Sequence, residues 1–156
     1  MKLDPAEHAR RPLRARELAA AEGLALHDVW QLDADLPPGF GLAELERALR
    51  GRRPPRSVAA LLALRSALGR ATGIDRGSKG IVPVVDTPGE RVYRIENRTV
   101  TALAQLAIVE RRARVGVYVR PHGRGGRAYP LAIEPFRRFV VYPGLLRWAE
   151  NSLRAQ

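Results

Sequence analysis

"RTVTALAQLAIVE", residues 98–110, decides the fold. Read with the two-residue period of a strand, Val100, Ala102, Ala104, Leu106 and Ile108 fall on one side, and Leu103, Ala107 and Val109 on the other. Both sides are largely apolar. A strand with one wet face alternates apolar and polar residues, and an enclosed strand has no need to. The stretch therefore predicts a strand with apolar material against part of both its faces.

The same period extends to either side. "GIVPVVDTPGERVYRIEN", residues 80–97, reads as two strands about the turn "DTPG". "ARVGVYVRP", residues 113–121, is a further strand, entered through a basic turn around Arg111 and Arg112. Upstream, "PLRARELAAAE" (12–22) is rich in helix formers, with Pro12 near its start and Gly23 as its stop. "LALHDVWQLDADL" (24–36) alternates as a strand, Leu26, Asp28, Trp30 and Leu32 opposite His27, Val29, Gln31 and Asp33, and ends at "PPG". "GLAELERALRG" (41–51) puts Leu42, Leu45 and Leu49 on one helical stripe. Ser57 caps a second helix whose apolar face is Val58, Leu61, Leu64 and Leu68.

The tail is helical again. Tyr129, Ile133, Phe136 and Val140 form one stripe, and Phe139, Tyr142, Leu146, Ala149 and Leu153 form a second, rotated from the first. Pro143 lies in the changeover and predicts a bend. The order is helix, strand, two helices, four antiparallel strands and a long C-terminal helix. This is an α+β chain in which one curved antiparallel sheet wraps around the last helix. Residues 1–24 read as a helical extension and 25–156 as one domain.

Composition bounds the function. The chain has 156 residues, no cysteine and a net charge of +11, so disulfides and thiolate chemistry are excluded. Only Lys2 and Lys79 are lysines. Arginine in place of lysine, with abundant Ala, Gly and Pro, is what a GC-rich genome writes, yet the charge still attracts anions and keeps a nucleic-acid partner in view. No apolar run reaches the roughly 18 residues of a membrane span, and the N-terminus has charge without an apolar signal core. A cytoplasmic location is the expectation.

Few motifs carry chemistry. Gly123, Gly125 and Ala128 fit a dinucleotide turn, but no second strand follows to complete the unit it needs. "RGRRPPRS" brings Arg52, Arg53 and Arg56 to a helix N-terminus, a possible anion site. The arginines at strand ends, Arg91, Arg94, Arg98, Arg111, Arg112 and Arg114, lack interleaved aromatics and read as surface. His8, His27 and His122 are too scattered for a metal site, and no metal or cofactor is expected. Acid–base candidates are His27, Asp28, Asp33, Tyr93, Tyr118 and His122, with no catalytic set among them.

"PPRSVAALLALRSALGRATGI" (54–74) together with "GRAYPLAIEPFRRFVV" (126–141) resembles the bacterial family called domain of unknown function 2867. Through it the chain looks like a member of the helix-grip superfamily of START-like and polyketide-cyclase-like (SRPBCC) proteins, over roughly Leu26 to Trp148. The resemblance implies a helix-grip fold with an apolar cavity between sheet and last helix, suited to an apolar or aromatic small molecule. Its lining would be Trp30, Tyr93, Leu103 and Tyr118 from the strands, and Tyr129, Ile133, Phe136 and Val140 from the helix. Three functions compete: a small-molecule-binding module, a cyclase- or hydratase-like enzyme using one or two polar groups in that cavity, and a basic nucleic-acid-binding protein. Beyond the bend, Leu145, Leu146 and Trp148 would face the first helix or a second copy in a homodimer.

Overall fold

Five strands form one open antiparallel sheet in the computed structural model, which describes residues 4, 7–8, 13–50, 80–123 and 151. Helix α1 (Arg14–Ala21) leads into β1 (Ala25–Asp35), and α2 (Leu42–Arg50) follows. Strands β2 (Ile81–Asp86), β3 (Glu90–Glu96), β4 (Val100–Val109) and β5 (Arg112–Pro121) then run as a meander. The spatial order is β1-β5-β4-β3-β2, so the first strand returns beside the last and β2 forms the opposite edge. The α+β class and the antiparallel sheet agree with the sequence. The second helix after Ser57 and the C-terminal helix lie outside the described residues.

Turn chemistry fixes the register. Thr87 and Glu90 lock the β2–β3 turn reciprocally: the Thr87 hydroxyl donates to the Glu90 carbonyl and accepts from the Glu90 N–H, both at 3.0 Å. At the β3–β4 turn, Asn97 Oδ1 accepts the backbone N–H groups of Thr99 at 2.9 Å and Val100 at 3.0 Å, a side-chain mimic of a backbone turn. The β4–β5 loop is only Glu110 and Arg111, since Val109 already pairs with Arg112. Both loop residues have positive φ, 51° and 61°, as a two-residue hairpin of this twist requires. Glycine or asparagine is usual there, and a side-chained residue costs about 1–2 kcal/mol at each position.

Cross-strand pairing sorts the side chains onto two faces. Leu26, Tyr118, Leu103 and Arg94 make one row, and Val29, Gly116, Gln105 and Val92 the next. Here α1 lays Ala15, Ala19 and Leu18 over Leu24, Val92, Leu103 and Tyr118. Small alanines let the helix backbone approach the sheet. The opposite face carries Leu32, Ala113, Leu106 and Ile108 at one end, covered by Leu36, Leu42 and Leu45 of the β1–α2 region. Two separate cores, one per face, are the reason β4 is apolar on both sides.

One alternation is corrected. Between Leu26 and Asp28 the β1–β5 register shifts by a bulge at His27, which inserts an extra residue and moves all that follows to the other side. Leu26 therefore packs beneath α1, while Asp28, Trp30 and Leu32 point to the α2 face. Replacing Leu103, fully buried beneath α1, by Ala should lower the unfolding free energy by roughly 2–5 kcal/mol. Val82→Thr on the exposed edge strand should change it by no more than about 0.5 kcal/mol. Urea denaturation compares the two, and similar losses would contradict this core.

Candidate functional site

Three features of the sheet can do chemistry. The first is a polar stripe buried beneath α1. Helix α1 has no side-chain cap of its own at Leu13, and its first N–H groups would be left without acceptors. Glu90, at the start of β3 and 5% exposed, supplies them: Oε2 accepts from Arg14 N–H at 2.7 Å and Oε1 from Ala15 N–H at 3.0 Å. Gln105 Nε2 donates to the same Oε1 at 2.6 Å. Opposite Gln105 stands Gly116, where an added Cβ would meet Gln105 Oε1 at 2.6 Å. A glycine here is what gives the amide its room.

His8 joins this stripe from the N-terminal segment, its Nε2 3.0 Å from the Tyr118 hydroxyl. Both are almost wholly buried. Burial, then the nearby Arg114 charge, pushes the His8 imidazole below its ordinary range. The pair is therefore read with a neutral imidazole accepting from the phenol. Burial, then the Glu90 charge, raises the Tyr118 phenol to about 12.

The second feature is the part of the α2 face that α2 leaves uncovered. Its rows are Val119, Ala102 and Ile95, then Asp28, Val117, Ala104 and Tyr93. Their apolar members are half-buried and outside both cores. Asp28 is buried there at 4% exposure. The Tyr93 hydroxyl donates to Glu46 Oε1 of α2 at 2.9 Å, and burial followed by that bond raises its pKa. Arg91 also bonds Glu46, as well as Asp86, so Glu46 fastens α2 to β3.

The third feature is a cleft of about 440 Å³ at the β4–β5 hairpin, lined by Glu7, Gln31, Asp35, Glu110, Arg111, Arg112 and Arg114. A shallower hollow of about 350 Å³ lies between the start of α2 and the β2–β3 turn. Among the described residues no group of three or more His, Asp or Glu side chains could hold a metal ion. No helix among them is long and apolar enough to cross a membrane.

The sequence-derived lining residues do not share one surface. Leu103 and Tyr118 belong to the α1 core, whereas Trp30 and Tyr93 lie on the α2 face. Tyr129, Ile133, Phe136 and Val140, and the anion candidates Arg52, Arg53 and Arg56, fall outside the described residues. The acid–base candidates are dispersed as well. Tyr118 is with His8, His122 Nε2 is 2.9 Å from the Thr101 hydroxyl, and Asp28 and Tyr93 are across the sheet. The surface reading of the strand-end arginines is corrected at Arg114, which is 4% exposed and donates from Nε to Gln31 Oε1 at 2.9 Å.

Sequence reasoning missed the Glu90 cap and the His8–Tyr118 pair, which join residues 75 and more positions apart. Gln105, a long polar residue inside a largely apolar strand, was the available signal. Residues 20–144 match the model of a family described as "Protein of unknown function (DUF2867)". No curated protein and no solved structure matches the chain.

Glu90→Gln keeps the shape but leaves one acceptor where two N–H groups need it, so it should cost roughly 1.5–3 kcal/mol, read from urea midpoints. The His8–Tyr118 pair sets two pH limits. Because folding depresses the His8 pKa, its contribution is complete above the unfolded value of 6.5 and is lost as pH falls through the folded value. Because folding raises the Tyr118 pKa, its contribution is complete below 10 and is lost as pH climbs toward about 12. Stability measured against pH should fall on both sides, and Tyr118→Phe should flatten the alkaline side; an unchanged alkaline loss in that variant would refute the assignment.

Proposed function

The chain belongs to the DUF2867 family, and we propose that it holds an apolar small molecule against the half-covered face of its sheet. The observation that carries this reading is the field around Ala102 and Ala104. These two small residues stand between Val117, Val119 and Ile95, with Tyr93 at one end of the Ala104 row and the buried Asp28 at the other. An apolar wall with a few polar groups at its margin is the usual make-up of a small-molecule site. In this reading the stripe Tyr129, Ile133, Phe136 and Val140 closes the site from the C-terminal segment, the helix-grip arrangement.

Trp30 and Tyr93 then line the ligand site, while Leu103 and Tyr118 support the sheet from behind. Pocket side chains contributed by a rigid sheet lose little entropy on binding, so a modest apolar contact area is enough for retention. Asp28 favours a second reading. A buried carboxylate facing an apolar ligand can take or give a proton, as a cyclase- or hydratase-like enzyme requires. The binding module remains the reading with the wider support, because it needs the apolar field alone.

Native mass spectrometry of the purified chain should show a bound apolar molecule. Ala104→Trp covers this field with a large side chain and should abolish that mass, and uptake of the neutral dye Nile red should fall at least tenfold with an unchanged fold by circular dichroism. A parent protein that carries no such molecule and takes up no Nile red would sink the proposal. Asp28→Asn should keep the ligand bound. If it also left the ligand unaltered chemically in parent and variant alike, the enzyme reading would be removed and the binding reading kept.

A further inference from the structure

The cleft at the β4–β5 hairpin is built from parts that neither core requires. Its three arginines share one mode of attachment. Arg111 Nε donates to the Leu36 carbonyl at 2.9 Å, Arg112 Nε to Asp35 Oδ1 at 3.0 Å, and Arg114 Nε to Gln31 Oε1 at 2.9 Å. A guanidinium held by Nε is fixed in its plane and presents its two terminal nitrogens as a fork at the far end. Such a fork matches the paired oxygens of a carboxylate or phosphate.

The backbone around the cleft is equally fixed. Arg111 sits in the left-handed region at φ 61°, where glycine would be relaxed. Its carbonyl accepts the Leu36 N–H at 2.7 Å, so main chain and side chain both clamp Arg111 to the connector after β1. Strained, clamped backbone of this kind is found where a side chain must stand in one place. Arg112 is partly open to solvent at 44% side-chain exposure, whereas Arg114 is buried behind it. Glu7, Asp35 and Glu110 line the same cleft and can only accept hydrogen bonds when ionised.

We propose that this cleft binds a small molecule carrying a carboxylate or phosphate flanked by hydroxyl or ammonium groups. The oxyanion takes the terminal nitrogens of Arg111 and Arg112, and the neighbouring donors take the carboxylates of the cleft. The equal numbers of arginines and carboxylates in the lining select such a mixed ligand over a bare polyanion. The site lies at the α1-face end of the sheet, across from the apolar field of Ala102 and Ala104 and independent of it.

The test follows the arginine Nε–H resonances by NMR at constant ionic strength during titration with inorganic phosphate, malate and O-phosphoserine. Saturable shifts are expected at Arg111, Arg112 and Arg114, with O-phosphoserine or malate binding at least tenfold more tightly than phosphate. Because O-phosphoserine carries a carboxylate beside its phosphate, the preferred group is assigned by comparing it with malate, which has no phosphate, and with inorganic phosphate, which has no carboxylate. Arg112→Gln should weaken binding tenfold or more. Arg111→Gly separates function from folding: it relieves the left-handed strain, so its melting temperature should equal or exceed the parent's while binding falls tenfold or more. Absence of saturable shifts with all three probes, or a glycine variant that binds like the parent, would overturn the proposal.

Discussion

One carboxylate holds the first helix to the sheet. Glu90 begins β3, closes the turn to Thr87 through its backbone, and spends its side chain on the two leading N–H groups of α1. Those donors would otherwise sit in the core without partners, a cost comparable to losing whole hydrogen bonds. The helix is short and its own sequence offers no cap, so its position is set from the sheet. Gln105 steadies the same carboxylate, and Gly116 makes room for Gln105. Two strands and a helix are in this way tied to one pair of oxygens.

That arrangement gives the two faces of the sheet different characters. The α1 face mixes alanines and leucines with a buried line of polar groups, each held in one orientation. The α2 face is mostly apolar, with Asp28 buried in it and Tyr93 and Arg91 tied to Glu46, and its core lies at the end beneath α2. Small residues continue the face beyond that end. The division of labour follows: fixed polar geometry reaches solvent at the hairpin end, while the apolar field of Ala102 and Ala104 lies across the sheet.

Much of the fold was legible in the sequence because strands announce themselves by period and turns by residue type. The strand of residues 100–109, the Asp-Thr-Pro-Gly turn and the Leu42–Leu45 stripe were all visible in this way. The faces were harder to read. A bulge such as that at His27 carries no residue signature, and it moved Leu26 away from Trp30. The candidate site was legible only in its residue types. Tyr118 and Tyr93 were singled out as lining and acid–base candidates, yet which side of the sheet each occupies depends on pairing with strands far away in the chain. Arg114 resembled its exposed neighbours in sequence and differs from them because Gln31 on the next strand and Glu7 of the N-terminal segment bond it.

The bulge also bears on which length changes β1 can accept. Substitutions along this strand act one side chain at a time, and most alter only their own neighbourhood. Losing the single residue His27 would restore an even count and oblige one half of the strand to exchange sides. Either Leu24 and Leu26 would leave the space beneath α1, or Asp28, Trp30 and Leu32 would turn into it. Neither outcome can be absorbed by a neighbour, so β1 should tolerate many replacements of identity and almost no change of length. The tolerance to insertion that surface loops enjoy ends at the first residue of this strand.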